Sequence, residues 1–268
     1  MNRVRPAAVA GSFYPRQPEA LAQEVAALLG AAKRDGSATP KALIAPHAGY
    51  IYSGPVAANA YARLEPARGQ IKRVVLLGPA HFVAVQGLAL PDASDFATPL
   101  GMVPLDETSV ETLSRLPQVL QNKAAHAREH SLEVHLPFLQ TVLEKFTLVP
   151  LAIGDATPEE IADVLDLLWG GEETLIVVSS DLSHYLSYET ARRVDQATAR
   201  AILDLREPIS HEQACGATPV NGLLIAAQRR CLKPVLLDLR NSGDTAGDRS
   251  RVVGYGAFAF NESARHVH

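Results

Sequence analysis

Hydrophobic residues fall along the chain in two alternating patterns. Short apolar runs, Ala42-Leu43-Ile44-Ala45, Val74-Val75-Leu76-Leu77 and Leu175-Ile176-Val177-Val178, show no polar alternation. That is how strands buried on both faces of a parallel sheet read. Thr147 to Ile153, Gly87 to Leu90, Pro234 to Leu239 and Val252 to Phe260 are predicted as further strands. Between them apolar residues recur at helical spacing. Leu21, Val25, Leu28 and Leu29 mark a helix from Pro18 to Gly30, and Ile161, Val164, Leu165 and Leu168 follow the capping box of Thr157-Pro158-Glu159-Glu160. Other helices are predicted from about Val56 to Leu64, from an Asp106 cap to Leu116, and from Ser131, where Pro137 marks either a break or an N-terminus. Three more are predicted from Tyr188 to Leu205, around Ser210 to Ala214, and from Pro219 behind a Thr218 cap. Residues 6–16 and 47–55 read as loops, and 118–129 is ambiguous.

Strands alternating with helices, with no linker or composition break, predict a single α/β layered domain over residues 1–268. Its central sheet is mainly parallel or mixed and flanked by helices, and residues 263–268 form a mobile tail. In such sheets ligands sit outside the carboxyl ends of the strands. The first three runs each deliver chemistry there: His47 follows Pro46, His81 follows Gly78-Pro79-Ala80, and Asp181 and His184 follow Ser179-Ser180. One loop histidine bonded to backbone is ordinary, but two at equivalent strand ends favour a metal, for which neutral imidazole is the commonest protein ligand. Asp181 and His184 read as a ligand-orienting pair or as acid and base.

The run His130-Ser131-Leu132-Glu133-Val134-His135 is the densest polar cluster, either a solvated face or part of the site. It is not His-Glu-x-x-His, so no zinc protease follows, and the chain has no Gly-x-Ser-x-Gly elbow. Cys215 stands just before a predicted helix, whose dipole would favour thiolate; the alternative is a small core residue. Cys231 reads as core. Asn241 to Asp248 is turn chemistry, a structural or rim loop.

Composition narrows the partners. With 47% hydrophobic and 20% charged residues and a formal net charge of -4, nothing attracts nucleic acid or an anionic membrane. No apolar run approaches the ~20 residues of a membrane span, and the first residues lack a secretory apolar core, so a cytoplasmic protein is expected. The helix predicted between Cys215 and Cys231 would be ~18 Å long, too long for a disulfide. Two free thiols suit a reducing compartment.

In order, the motifs are Ala10-Gly11-Ser12-Phe13-Tyr14, Ile44-Ala45-Pro46-His47-Ala48-Gly49-Tyr50, Leu77-Gly78-Pro79-Ala80-His81, Glu129 to Pro137, Ser179-Ser180-Asp181-Leu182-Ser183-His184 and Cys215-Gly216. Together they resemble the Memo family, known in prokaryotes as component B of the AmmeMemoRadiSam system. The resemblance spans nearly the whole chain. It implies a fold like the class III extradiol dioxygenases, one metal held by His47, His81 and Cys215, and a pocket wall of Asp181, His184, His130, Glu133 and His135. In the related dioxygenases a carboxylate takes the place of Cys215. Phe82 stands where animal members carry a second histidine, and Ala217-Thr218 where they carry Arg-His. The partners it suggests are the AMMECR-like and radical SAM proteins of that system, besides an unidentified small molecule or peptide.

Two readings follow. One is a non-haem iron oxidoreductase, dioxygenase-like, in which His184 or His135 moves protons. The other is a scaffold without catalysis, handling copper or iron or holding a peptide. Zinc hydrolysis is a third.

Overall fold

The structure is a computed structural model that describes residues 3–34, 36 and 38–262; the expected tail at 263–268 lies outside them. β1 (Val4–Arg5) leads through a loop to α1 (Pro18–Ala31), which buries Leu21, Val25 and Leu29 as the spacing requires. β2 (Ala42–Ala45) is followed by α2 (Tyr50–Tyr61), six residues earlier than the expected start at Val56. Proline hid that beginning: Pro55 lies inside the helix and removes the hydrogen bond to the carbonyl of Ile51, a residue on the solvent side. Beside it, a Cβ on Gly54 would come within 2.9 Å of Leu28, so glycine here lets α1 and α2 approach.

β3 (Arg73–Pro79) and β4 (Leu88–Leu90) come next, then β5 (Asp95–Thr98), β6 (Gly101–Pro104) and α3 (Glu107–Leu113), the last capped by Asp106 as expected. The ambiguous stretch resolves into β7 (Val119–Gln121) and α4 (Lys123–Ala127), capped by Asn122. Past a 3-10 turn at Glu133–His135, Pro137 lies in the first turn of α5 (Leu136–Val142), where its missing N–H costs nothing. β8 (Thr147–Ile153) precedes α6 (Pro158–Leu168), whose Thr157–Glu160 capping box forms both its hydrogen bonds.

β9 (Thr174–Ser179), β10 (His184–Leu186) and α7 (Tyr188–Leu203) follow. The helix expected around Ser210 is only a turn, closed by the Gln213 and Ala214 N–H groups on the Ser210 carbonyl. α8 (Ala217–Arg229) starts with Gly216, not Thr218, at its cap. β11 (Lys233–Asn241), α9 (Ser242–Thr245) and β12 (Val252–Asn261) complete the fold.

The main sheet runs β10-β12-β2-β9-β3-β8-β4-β7, with β11 beside β12. Its centre, β2-β9-β3-β8, is parallel, while β12 and β4 pair antiparallel to β2 and β8, so the sheet is mixed. Alternate residues serve opposite layers. Leu43, Val74, Leu76 and Val177 pack toward α1, α2 and α5, whereas Ile44, Val75, Leu77, Ile176 and Val178 pack toward α6 and α8. Covering both faces explains the lack of polar alternation. A second sheet, β1-β5-β6, was not legible: its strands are two to four residues long, and Val4 pairs with distant Asp95.

Candidate metal centre

β2, β9 and β3 are neighbours running the same way, so the loops after them open at one edge. They carry His47, Asp181 and His81 into a cleft of about 1460 Å³. The His47 and His81 ring centroids are 5.2 Å apart. His130, from the loop between α4 and the 3-10 turn, stacks on His81 at 4.7 Å and meets His47 edge-on at 5.4 Å. One ligand atom each from His47, His81 and His130 lie within 4.8 Å of one another. The converging trio is therefore three imidazoles, with His130 drawn from the expected wall into the cluster that the resemblance built from two histidines and Cys215.

Glu129 fixes one of these rings. Its Oε2 accepts the His81 main-chain N–H at 2.6 Å, and its Oε1 lies 2.8 Å from His81 Nδ1. Oε1 also accepts the N–H groups of His130 and Ser131, each at 3.0 Å. Burial pushes this carboxyl up, but its hydrogen bonds to His81 and Ser131 outweigh burial and hold it at about 2. An ionised carboxylate only accepts, so His81 carries its proton on Nδ1 and leaves Nε2 with a free lone pair.

His47 Nδ1 lies 2.6 Å from Ser179 Oγ, and its Nε2 lies 3.4 Å from Cys215 Sγ and 4.0 Å from Asp181 Oδ2. Burial, and then the neighbouring imidazoles, hold His47 well below the ordinary histidine range, in the neutral form a metal needs. His130 is lowered by burial to about 4 against the pull of Glu129. Asp181 accepts the His47 main-chain N–H at 2.8 Å, yet burial raises its carboxyl to about 7.

Cys215 corrects the helix-dipole expectation. Burial and then the Asp181 charge push its thiol up to about 12, so without an ion it is a protonated thiol, not a thiolate. Its sulfur accepts the Asp181 N–H at 3.3 Å. The 3.4 Å from sulfur to His47 Nε2 nonetheless matches two donors on one tetrahedral ion, since bonds of ~2.3 and ~2.1 Å place such atoms ~3.6 Å apart. The donor set therefore fits a transition metal. Cys231, expected in the core, is exposed; the two cysteines form no disulfide, as expected.

Two residues assigned to the wall are not on it. Glu133 is fully buried in an ion pair with Arg5 and accepts the N–H groups of Ala8 and Val9 and the Tyr14 hydroxyl. It anchors the N-terminal segment, whose Phe13 then packs on His130 at 4.8 Å. His135 is enclosed between the Tyr61 hydroxyl and Ser179 Oγ, where burial lowers it to about 3. His184 does line the cleft, but no hydrogen bond or ion pair joins it to Asp181 among the described residues, so the expected Asp181–His184 pair does not form. The Asn241–Asp248 stretch proves to be a rim loop: Asn241 caps α9, and Ser242, Gly247 and Asp248 line the cleft. Glu129 and Ser179 were missed as supports of the histidines. Their signals were an acid directly before His130 and a polar pair ending an otherwise apolar strand.

A family profile described as Memo-like protein matches residues 5–259. A "MEMO1 family protein" of Aquifex aeolicus is 37% identical over 265 residues, covering 94% of this chain and 97% of its own. Another, of Metallosphaera sedula, is 33% identical over 278 residues, covering 95% and 98%. Among solved structures, an uncharacterized protein of Escherichia coli K12 superposes with a TM-score of 0.51 at 16% identity, over 81% of this chain and 98% of that one, which shows a shared fold.

Proposed function

The chain belongs to the Memo-like protein family, and from that premise we propose that it is a mononuclear metal protein with iron as its metal and a dioxygenase-like oxidoreductase activity. The observation that carries the reading is the convergence of His47, His81 and His130 on the floor of a large cleft. His47, His81 and His130 hold the ion, and Cys215, with its sulfur 3.4 Å from His47 Nε2, stands beside them as a further candidate donor. Bound iron supplies a redox-active Lewis acid with positions open to oxygen or substrate.

The remaining work belongs to the chain. Asp181 Oδ2 faces His47 Nε2, and a carboxyl at about 7 can hold or release a proton near neutrality. His184, half-buried on the wall, is the second proton carrier. Phe13 covers the His130 ring and keeps water from that side. A cleft of about 1460 Å³ exceeds the ~300–1,000 Å³ of ordinary small-molecule pockets, which favours an extended substrate.

A second reading rests on the number of donors. If three imidazoles and a thiol all bind one tetrahedral ion, no position stays open, and the protein retains or hands on copper, iron or zinc without catalysis. Metal analysis of anaerobically purified protein, then oxygen uptake with iron restored, separates the two. His47→Ala is expected to lose both metal and uptake, whereas His184→Ala keeps the metal and loses uptake. Cys215→Ser lowers occupancy and Cys231→Ser does not. Tight metal binding with no uptake in any state replaces the enzyme with the handling protein.

A further inference from the structure

Behind His47 lies a closed set of hydrogen bonds that does not reach the cleft. Ser179 Oγ is 2.6 Å from the Ser131 carbonyl oxygen, 2.6 Å from His47 Nδ1 and 2.8 Å from His135 Nε2. Tyr61 Oη is 2.7 Å from His135 Nδ1. Ser131, Ser179, His135 and Tyr61 are all at most 1% exposed, so bulk solvent does not compete for these bonds.

Only one arrangement of protons satisfies these contacts. A carbonyl cannot donate, so the single Ser179 hydroxyl proton lies on the bond to Ser131. Ser179 Oγ must then accept from both rings, which places a proton on His47 Nδ1 and another on His135 Nε2. The neutral His135 ring has its lone pair on Nδ1, where the Tyr61 hydroxyl donates. Every proton shared within the set is placed once the direction at Ser131 is fixed.

We propose that Ser179, backed by His135 and Tyr61, is a positioning residue that locks His47 as the Nδ1–H tautomer. His47 Nε2 then presents its lone pair to the cleft before any ion arrives. The proposal deepens the metal reading of His47, yet its first consequence is visible in protein that holds no metal. It also makes the two supports unlike in kind. His81 is held by a carboxylate, while His47 is held by an uncharged relay fixed by Ser131 and ended by Tyr61.

Metal-free protein labelled with ¹⁵N at histidine tests this through the ring ¹H–¹⁵N correlations, which tell the tautomers apart. His47 is expected with its proton on Nδ1 and His135 with its proton on Nε2; either ring in the other tautomer overturns the proposal without a variant. In Ser179→Ala, His47 should become a mixture of tautomers, and zinc(II), used as the probe ion in a chelator competition, should bind about 10–100-fold more weakly. Unchanged His47 tautomer and zinc affinity in a folded Ser179→Ala protein also overturn it. If the wild-type protein shows the expected tautomers and yet takes up no zinc or iron, the relay stands and the metal reading falls.

Discussion

Glu133 illustrates how a residue type can be legible while its role is not. It looked like pocket chemistry because it stands between two histidines, but its carboxylate is spent on Arg5, two main-chain N–H groups and Tyr14. Removing one member of a buried ion pair strands the other charge, at a cost of about 3–5 kcal/mol. Glu133→Gln is therefore expected to lose about 3 kcal/mol in urea unfolding while still binding one metal per chain at saturation. A variant as stable as the parent would return Glu133 to the list of chemical groups. His47, His81 and Asp181 were legible because a strand end fixes position along the chain and across the sheet at once. Burial is different: it depends on which distant segment lies opposite, so the enclosure of Glu133 and His135 and the raised thiol of Cys215 left no local mark. Glu129 shows the same dependence, since its grip on His81 crosses 48 positions of sequence.

At the scale of elements, the site depends on how closely the start of α8 approaches the end of β9. A Cβ on Gly216 would lie 2.5 Å from the Ser179 carbonyl oxygen and 2.7 Å from Ser180 Cβ. Backbone cannot swing aside as a long side chain does, so Gly216→Ala must push α8 and the neighbouring Cys215 away from His47. Overpacking of this kind costs about 1–3 kcal/mol. Thermal melts should show that loss together with weaker metal binding by chelator competition. Gly30→Ala in α1 is the control: nothing lies within 4 Å of the added carbon, and a small gain of about 0.5–1 kcal/mol is expected. Equal metal affinity in the two variants would mean that Cys215 does not take part. The elements most accurately read from sequence were those with two agreeing signals, as in α6, where capping box and apolar stripe coincide. Where proline contradicted the periodicity, as in α2, the boundary moved; where pairing was distant and short, as in β1-β5-β6, nothing was visible.

The molecule as a whole concentrates uncharged imidazole in its interior, and this sets its response to acid. Burial lowers His126 and His130 to about 4 and His135 to about 3, and it also lowers His184 and, further, His47. A histidine whose folded value lies below its unfolded value of about 6.5 stabilises the fold above that pH. The contribution drains away as the pH falls toward the folded value, because the unfolded chain takes the proton first. Asp181 at about 7 and Asp195 at about 6 act in the opposite sense, gaining stability as the pH falls through those values toward the ordinary carboxyl range. Five imidazoles outweigh two carboxyls, so unfolding free energy of the metal-free protein should fall on going from pH 7 to pH 5, by an amount on the order of a few kcal/mol. An ion on His47 and His81 competes with the same protons, so the metal-loaded protein should lose stability more steeply over that interval. His126 separates the general effect from the site. Its Nε2 donates to the Ala89 carbonyl at 2.8 Å, away from the cleft, and Gln can supply the same donor. His126→Gln should therefore shrink the loss between pH 7 and pH 5 by up to about 2 kcal/mol while leaving zinc affinity unchanged. A pH profile that is flat in both proteins would show that these buried rings are charged in the fold, which their enclosure and donor–acceptor pairing argue against.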